Sequence, residues 1–131
     1  MEIRAIQPAE FDFVRRLLLA NDFAGERITD VERFRKMIAM SEKALVAVAH
    51  GEIVGFARGI SDEVSNGYLS MLVVAEPHRR KGVGSALVRA VIGDDPHMTW
   101  VLRLGGRHDV ANFYEKLGFV RSTVAMECVR V

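Results

Sequence analysis

The stretch from residue 73 to residue 88 constrains this sequence most, because it joins a strand-like segment to a helix-like segment through a basic turn. It reads Val-Val-Ala-Glu-Pro-His-Arg-Arg-Lys-Gly-Val-Gly-Ser-Ala-Leu-Val. The apolar start predicts a strand that stops at Pro77, and the apolar spacing from Val83 onward predicts a helix. The first backbone N–H groups of such a helix lack intrahelical acceptors, and the helix dipole makes that end partly positive. This end of the helix therefore favours an anion.

Glycines and positive charges in the turn strengthen that prediction. Gly82 and Gly84 lack the Cβ atoms that would keep an anion away from the N–H groups. Residues 79–81 are Arg, Arg and Lys, which add three positive charges at the same place. The sequence has no Walker loop, and a dinucleotide-binding loop would need a third glycine where Leu87 stands. The turn therefore predicts a phosphate site of another kind.

Two sequence elements resemble those of the Gcn5-related N-acetyltransferases, the GNAT family. Its signature is Arg/Gln-x-x-Gly-x-Gly/Ala after a strand that ends Val-x-x-Pro. Here residues 74–77 are Val-Ala-Glu-Pro and residues 79–84 are Arg-Arg-Lys-Gly-Val-Gly. A second family element, Asn-Phe-Tyr-Glu-Lys-Leu-Gly-Phe at residues 112–119, follows at the distance where the family places it. Because both elements occur in this order and at this spacing, chance does not explain the match well.

Length and composition are those of one globular domain, residues 1–131, with 50% hydrophobic and 27% charged residues. Eighteen Lys and Arg against seventeen Asp and Glu give a net charge of +1, which argues against a nucleic-acid partner. No transmembrane-length apolar run and no signal-like start is present, so we expect a cytoplasmic protein without a membrane partner. We expect the single cysteine, Cys128, to be a small apolar residue in the last strand.

Apolar periodicity and turn residues predict the order strand, helix, helix, three strands, helix, strand, helix and one or two final strands. A capping box at Thr29 and Glu32 opens the second helix, and His50 with Gly51 forms a hairpin turn. Glycines 55 and 59 in the middle strand predict a bulge or a close backbone approach. The predicted strands are residues 3–6, 44–49, 52–60, 68–74, 99–104 and 119–131, and the predicted helices are residues 8–20, 29–38, 82–93 and 109–118.

These connections predict an α+β fold with a mixed sheet. Hairpins make the front half antiparallel, while the crossover helix at 82–93 makes the strands on either side of it parallel. The resemblance implies the same architecture: an acyl-CoA N-acyltransferase fold with a mostly antiparallel central sheet, one splayed parallel strand pair, and helices on both faces.

The resemblance also implies acetyl-CoA as the co-substrate. Main-chain groups of residues 72–74 would pair with its pantetheine arm, and N–H groups of residues 80–85 would hold its pyrophosphate. An N–H in the splayed strand, at Leu72 or Val73, would polarise the thioester carbonyl. The residues assigned to cofactor binding are Leu72, Val73, Val74, Arg79, Arg80, Lys81, Gly82, Val83, Gly84, Ser85 and Asn112.

Tyr114 is the side chain that the resemblance assigns to catalysis, as the general acid that protonates the departing thiolate. The alternative is that Tyr114 is a helix residue that packs beside Phe113. Many family members have a cofactor-binding asparagine seven residues before this tyrosine, but Arg107 stands there in this sequence. The cofactor contact from Asn112 therefore stays open, and Arg107 could meet a cofactor phosphate or an acidic group of the acceptor.

The general base and the acceptor are not identified by the sequence. Residues 68–72 contain neither the glutamate nor the histidine that many family members place there, although Tyr68 and Ser70 could relay a proton through water. Residues 21–29 and 61–67 should border the acceptor, and their acids hint at a small cationic amine or polyamine. No residue spacing suggests a metal site, and a homodimer is consistent with the habits of the family. The candidate bases are Asp22, Glu26, Asp62, Glu63 and His108.

Our leading hypothesis is an N-acetyltransferase that moves the acetyl group of acetyl-CoA directly to a primary amine of a small acceptor. The main alternative is a non-catalytic acyl-CoA-binding sensor or partner module. A phosphate-binding fold unrelated to acyl transfer is a third reading.

Overall fold

Five strands form one mixed sheet in the computed structural model, which describes residues 1–104 and 110–130. In chain order the strands are β1 (Glu2–Ala5), β2 (Lys43–Ala49), β3 (Glu52–Ser61), β4 (Asn66–Val74) and β5 (Thr99–Leu102). They lie side by side in that order; β1 to β4 are antiparallel, and β4 and β5 are parallel. The predicted mixed sheet is confirmed.

Five α-helices accompany the sheet in the described part of the chain: α1 (Phe11–Leu19), α2 (Glu26–Thr29), α3 (Val31–Ala39), α4 (Val83–Ile92) and α5 (Val110–Glu115). Helix α4 crosses from the end of β4 to the start of β5, which is why these two strands run parallel. Residues 8–10 form a single 3-10 turn before α1, and Pro8 is its first residue, a position that suits proline because its φ angle is already helical.

The capping box predicted at Thr29 is wrong by one residue. Thr29 is the last residue of α2, where its hydroxyl donates to the Gly25 carbonyl. Asp30 caps α3 instead, because its carboxylate accepts a hydrogen bond from the Arg33 N–H at 3.1 Å. Asp and Thr both cap helices well, so the sequence could not decide between two adjacent candidates.

Helices cover both faces of the sheet, as predicted. Val14 and Leu18 of α1 pack with Phe34 of α3 against Phe56 on one face. On the other face, Leu87 of α4 is buried with Ala57, the next residue of β3. Consecutive strand residues thus belong to different cores, as the alternation of side chains along a strand requires.

The β2–β3 hairpin turns at His50 and Gly51, as predicted. Both residues have positive φ angles, 52° and 78°, which is the backbone of a type I′ turn. The prediction for the glycines of β3 is confirmed as well. A register shift lies beside Gly55, and a Cβ atom at Gly59 would lie 2.4 Å from Cγ1 of Val91.

A second irregularity lies in β4, where no glycine indicated it. Phe56 pairs with Val73 and Arg58 pairs with Ser70, so two steps along β3 match three steps along β4. Strand β4 therefore contains a β-bulge, and Met71 within it has a φ of 60°. The bulge lies where β4 stops pairing with β5, its neighbour on the other side.

The parallel pair splays apart after Leu69, as predicted. The pairing runs from Asn66 with Thr99 to Leu69 with Leu102, where β5 ends, two residues earlier than the sequence suggested. Strand β4 continues to Val74. Within the described residues, the β5-facing edge of β4 from residue 70 to residue 74 therefore has no strand partner.

The final strands predicted at 119–131 are wrong for every residue that is described there. Residues 119–130 contain no strand, Val124 and Met126 are 88% and 96% exposed, and Cys128 is exposed rather than buried. Alternating apolar residues suit a strand, but a strand also needs an edge to pair with. The sequence pattern does not show whether an unpaired strand edge is available.

Trp100 fixes the start of the parallel pair by packing on glycine. It pairs with Gly67, and a Cβ atom at Gly67 would lie 2.5 Å from Cε3 of the indole ring. The ring also lies under Lys43, whose Nζ is 5.9 Å from the ring centroid. A side chain at position 67 would displace Trp100 and with it β5.

We expect Gly67→Ala to lower the free energy of unfolding by about 1–3 kcal/mol, the usual cost of overpacking a core. Urea denaturation measures this cost. In Gly67→Ala with Trp100→Leu, the smaller side chain removes the clash, so the double variant should lose less stability than the sum of the single variants. Strict additivity would contradict the proposed packing.

Candidate active site

The splay between β4 and β5 opens a cavity of about 430 Å3, here called the β4–β5 cavity. Residues 68–72 of β4 form one wall, and Leu102 and Arg103 at the end of β5 form another. The segment after α1 contributes residues 21–23 and Arg27, and α5 contributes Tyr114. The cavity therefore lies where four separate parts of the chain meet.

The unpaired edge of β4 is a main-chain feature of this cavity. On its other side β4 is hydrogen-bonded to β3, which holds the strand in place up to Val74 on both sides of the bulge at Met71. An unpaired strand edge presents N–H and C=O groups in the pattern that an extended ligand can match. Ser70, which lines the cavity, is only 8% exposed.

The basic turn, residues 79–85, lies between the end of β4 and the first turn of α4. Arg80 and Gly82 have positive φ angles of 62° and 83°, and Gly82 is the residue that caps α4. Among the described residues, no N–H group from residue 80 to residue 85 donates a hydrogen bond to protein. Left-handed residues next to a helix start make a concave set of N–H groups that binds anions.

The two glycines of the turn have different structural roles. Gly82 takes a left-handed conformation, and nothing lies within 4 Å of where its Cβ would be. At Gly84 a Cβ atom would lie 3.2 Å from Cζ of Phe113. The missing side chain at Gly84 therefore lets α5, which carries Tyr114, pack against the first turn of α4.

Arg79 ties the basic turn to its surroundings. Its Nε donates to the Val74 carbonyl at 3.1 Å, and its Nη2 donates to the Asn21 side chain. Arg79 thus joins the end of β4 to the segment after α1. Arg80 and Lys81 are exposed, and neither forms an ion pair within the described residues.

A family model described as an acetyltransferase (GNAT) domain matches residues 41–121, which include strands β2 to β5, the basic turn and α5. The chain belongs to the GNAT acetyltransferase family. A search of curated protein sequences gave no significant match.

Solved structures give the same fold for this GNAT chain. A GNAT family acetyltransferase from Streptococcus pneumoniae is 19% identical over 99% of this chain and 95% of its own, with a TM-score of 0.80. An acetyltransferase from Trypanosoma brucei is 20% identical, covering 98% and 99%, with a TM-score of 0.69. An aminoglycoside acetyltransferase from an uncultured soil metagenomic sample is 25% identical, covering 99% and 97%, with a TM-score of 0.67.

Tyr114 lies on the wall of the cavity in this GNAT chain. Its ring meets Phe113 edge-on at a centroid distance of 5.0 Å and Phe119 at 5.7 Å. These contacts orient the ring. Tyr114 therefore packs beside Phe113, as the alternative from the sequence held, and it also lies on the cavity wall. The packing role and the catalytic hypothesis are compatible.

The other predicted cofactor residues are distributed around this arrangement. Leu72 lines the cavity. The side chain of Val73 is instead buried in the core between the sheet and helices α1 and α3, so only the main chain of Val73 could face a ligand. Asn112 is exposed on α5 and lies off the described cavity wall. Arg107 and His108, named above as a cofactor contact and a base, lie outside the described residues.

Only one of the candidate bases in the described residues lies on the cavity wall: Asp22, at a φ of 68°. Asp62 instead accepts hydrogen bonds from the N–H groups of residues 64–66 and from the Ser65 hydroxyl. These bonds hold the pKa of the Asp62 carboxyl far below its usual range, with the Ser65 side chain the largest cause. Asp62 is thus a structural residue of its loop, and Glu26 and Glu63 are exposed away from the wall.

Two features of the cavity were not predicted from the sequence. Arg103, just after β5, lines the wall and forms an ion pair with Glu127 at 2.8 Å. Its place could have been inferred, since residues that follow a parallel strand often line a site. The bulge at Met71 had no such signal, because nothing in the residue types of 70–73 indicates an extra residue.

No helix in residues 1–104 or 110–130 has both the length and the apolar character needed to cross a bilayer.

Proposed function

We propose that this GNAT chain is an acetyl-CoA-dependent N-acetyltransferase that transfers the acetyl group directly to a primary amine of a small acceptor. The observation that carries this proposal is the course of the unpaired edge of β4, which borders the cavity lined by Tyr114 and leads along the chain to the basic turn. Each feature suits a different part of acetyl-CoA.

The basic turn suits the diphosphate. Its N–H groups at residues 80–85 are the donors, and the exposed cations Arg80 and Lys81 add charge around them. Hydrogen bonds from N–H groups to an anion are stronger than those to a neutral acceptor. Main-chain donors fix the position of the diphosphate, whereas the flexible side chains adapt to it.

The edge of β4 suits the pantetheine arm, which carries amide groups that can pair like those of an added strand. The bulge at Met71 interrupts regular pairing there, so the N–H groups of Leu72 and Val73 are candidates to polarise the thioester carbonyl. A donor fixed by the sheet needs no reorganisation when negative charge develops on that oxygen.

Tyr114 acts in this proposal as the general acid. Expulsion of a thiolate from the tetrahedral intermediate is easier when a phenol hydroxyl protonates the sulfur. The edge-on contacts with Phe113 and Phe119 hold the ring at the cavity. The proton lost by the acceptor ammonium leaves through Asp22, or through water held by Tyr68 and Ser70, all of which line the cavity.

A second candidate function is an acyl-CoA-binding sensor. It is favoured by one observation: among the described residues, Asp22 is the only carboxylate on the cavity wall, and no imidazole lies there. Release of free thiol from acetyl-CoA in the presence of an amine panel, including aminoglycosides, tests the two functions. Acetyl-CoA binding without thiol release for any amine would favour the sensor.

We further propose that residues 1–131 form a single acetyltransferase domain that acts in the cytoplasm. We also propose that the chain forms a homodimer, which is consistent with the family. Sedimentation velocity measures the oligomeric state directly.

We predict that Gly82→Ala weakens acetyl-CoA binding about tenfold, the loss of roughly one hydrogen bond to a charged group. Alanine is strained at a φ of 83°, so the turn relaxes and its N–H groups turn away. The matched control is Gly51→Ala, since Gly51 has a similar φ of 78° in the distant β2–β3 turn. Calorimetry should show weaker binding only in the first variant; equal affinities would contradict the phosphate role of the turn.

We predict that Tyr114→Phe lowers kcat by about 100-fold or more, the lower range for loss of a general acid, while acetyl-CoA affinity changes little. Phenylalanine keeps the ring contacts with Phe113 and Phe119, so the cavity wall is preserved. Steady-state kinetics and calorimetry on the same protein separate the two effects. Turnover at the wild-type rate would remove Tyr114 from the mechanism.

A further inference from the structure

The wall of the β4–β5 cavity carries charges of both signs on the segment between α1 and α3. Asp22 and Arg27 both line the cavity. They form no ion pair with each other. Both charges are therefore available to a molecule in the cavity, the carboxylate for a cation and the guanidinium for an anion.

Arg27 lacks any compensating group within the described residues. Its guanidinium has no carboxylate partner and donates no hydrogen bond there. The other arginine on the wall, Arg103, differs because Glu127 pairs with it at 2.8 Å. An arginine fork matches a carboxylate with two parallel hydrogen bonds, so Arg27 is suited to an anionic group of a ligand.

Arg58 adds a second positive charge behind the wall. Its backbone pairs with Ser70 of the cavity wall, and its Nε donates to the Ser41 hydroxyl at 2.7 Å. Burial and then the charge of Arg27 lower the pKa of Arg58. The positive charge of Arg27 thus acts on Arg58, and an anion bound at Arg27 would offset that charge.

These charges disagree with the cationic or polyamine acceptor that the acids of the sequence suggested. Of those acids in the described chain, Asp22 alone lies on the wall, while Asp62 is bound within its own loop. A polyamine would place additional positive charge beside Arg27, and like charges at short range weaken binding.

The size of the cavity also limits the acceptor. Its volume of about 430 Å3 lies near the lower end of the range for small-molecule sites, about 300–1,000 Å3. The same space must admit the reacting end of the co-substrate. A compact acceptor fits this volume better than a long chain.

We propose that the acceptor is a small amino acid, with a free carboxylate bound by Arg27 and an ammonium group that approaches Asp22 before it loses its proton. This inference rests on the proposed acetyltransferase function and specifies its acceptor class.

The test uses matched acceptor sets: a free α-amino acid, its carboxamide, and the amine that lacks the carboxyl group. The assay follows free thiol released from acetyl-CoA by the full chain. The amine of a carboxamide is a weaker base than that of the free amino acid, so more of it is unprotonated at a given pH. A preference for the free amino acid over its carboxamide must therefore come from binding of the carboxylate.

For at least one amino acid in the panel, we expect kcat/KM to exceed the values for its carboxamide and its decarboxylated amine by about tenfold or more, as one charge-assisted hydrogen-bond pair allows. Arg27→Met should raise KM for that amino acid by a similar factor and leave the carboxamide within about twofold. Arg27→Lys should recover part of the loss, because the charge remains and the fork does not.

Arg16→Ala is the control for the loss of one positive charge, since Arg16 is exposed on α1 and lies off the cavity wall. It should leave the preference unchanged. Arg27 is exposed, so Arg27→Met should fold; the acceptor series on the wild-type chain decides the question if it does not.

Three outcomes would overturn the inference, and they are distinguishable. Equal or faster acetylation of the carboxamides and simple amines overturns the acceptor class while the proposed function stands. No thiol release with any amine, despite acetyl-CoA binding, overturns the proposed function and the acceptor class together. A loss in Arg27→Met that is equal for all three acceptors also contradicts the carboxylate site.

Discussion

Strand β4 loses its parallel partner after Leu69, and each part of the proposed site depends on that early end of pairing. The packing of Trp100 on Gly67 fixes where the pair begins, and helix α4, buried against β3, fixes where the chain returns to form β5. The bulge at Met71 then turns β4 at the splay. The opening is thus a consequence of where the pairing between β4 and β5 begins and ends. Local flexibility alone would not produce it.

The same strand pairing positions both the turn proposed to bind the cofactor and the tyrosine proposed to act in catalysis. The basic turn follows directly from the end of β4, and the absent side chain at Gly84 lets Phe113 pack on the first turn of α4. Tyr114, the next residue of α5, is thereby held at the cavity wall. Arg79 adds a link from the end of β4 to Asn21, so the segment that would face the acceptor is attached to the turn that would bind the cofactor.

Features encoded by neighbouring residues could be predicted from the sequence. The basic turn, the hairpin at His50 and Gly51, and the apolar stripe of α4 each depend on residues close in the chain. Features decided by tertiary contacts could not. The bulge at Met71 arises from pairing with β3, and a strand at residues 119–130 would have needed an edge to pair with. Whether Arg27 has a carboxylate partner also depends on the fold, and it has none among the residues that the structure describes.

The central claim is that main-chain N–H groups of the basic turn bind the diphosphate of acetyl-CoA, and a crystal structure of the complex tests it most directly. We expect phosphate oxygens within hydrogen-bonding distance of N–H groups in residues 80–85, with the pantetheine arm along residues 70–74 of β4. A cofactor bound elsewhere on the protein, or no bound cofactor at saturating concentration, would contradict it.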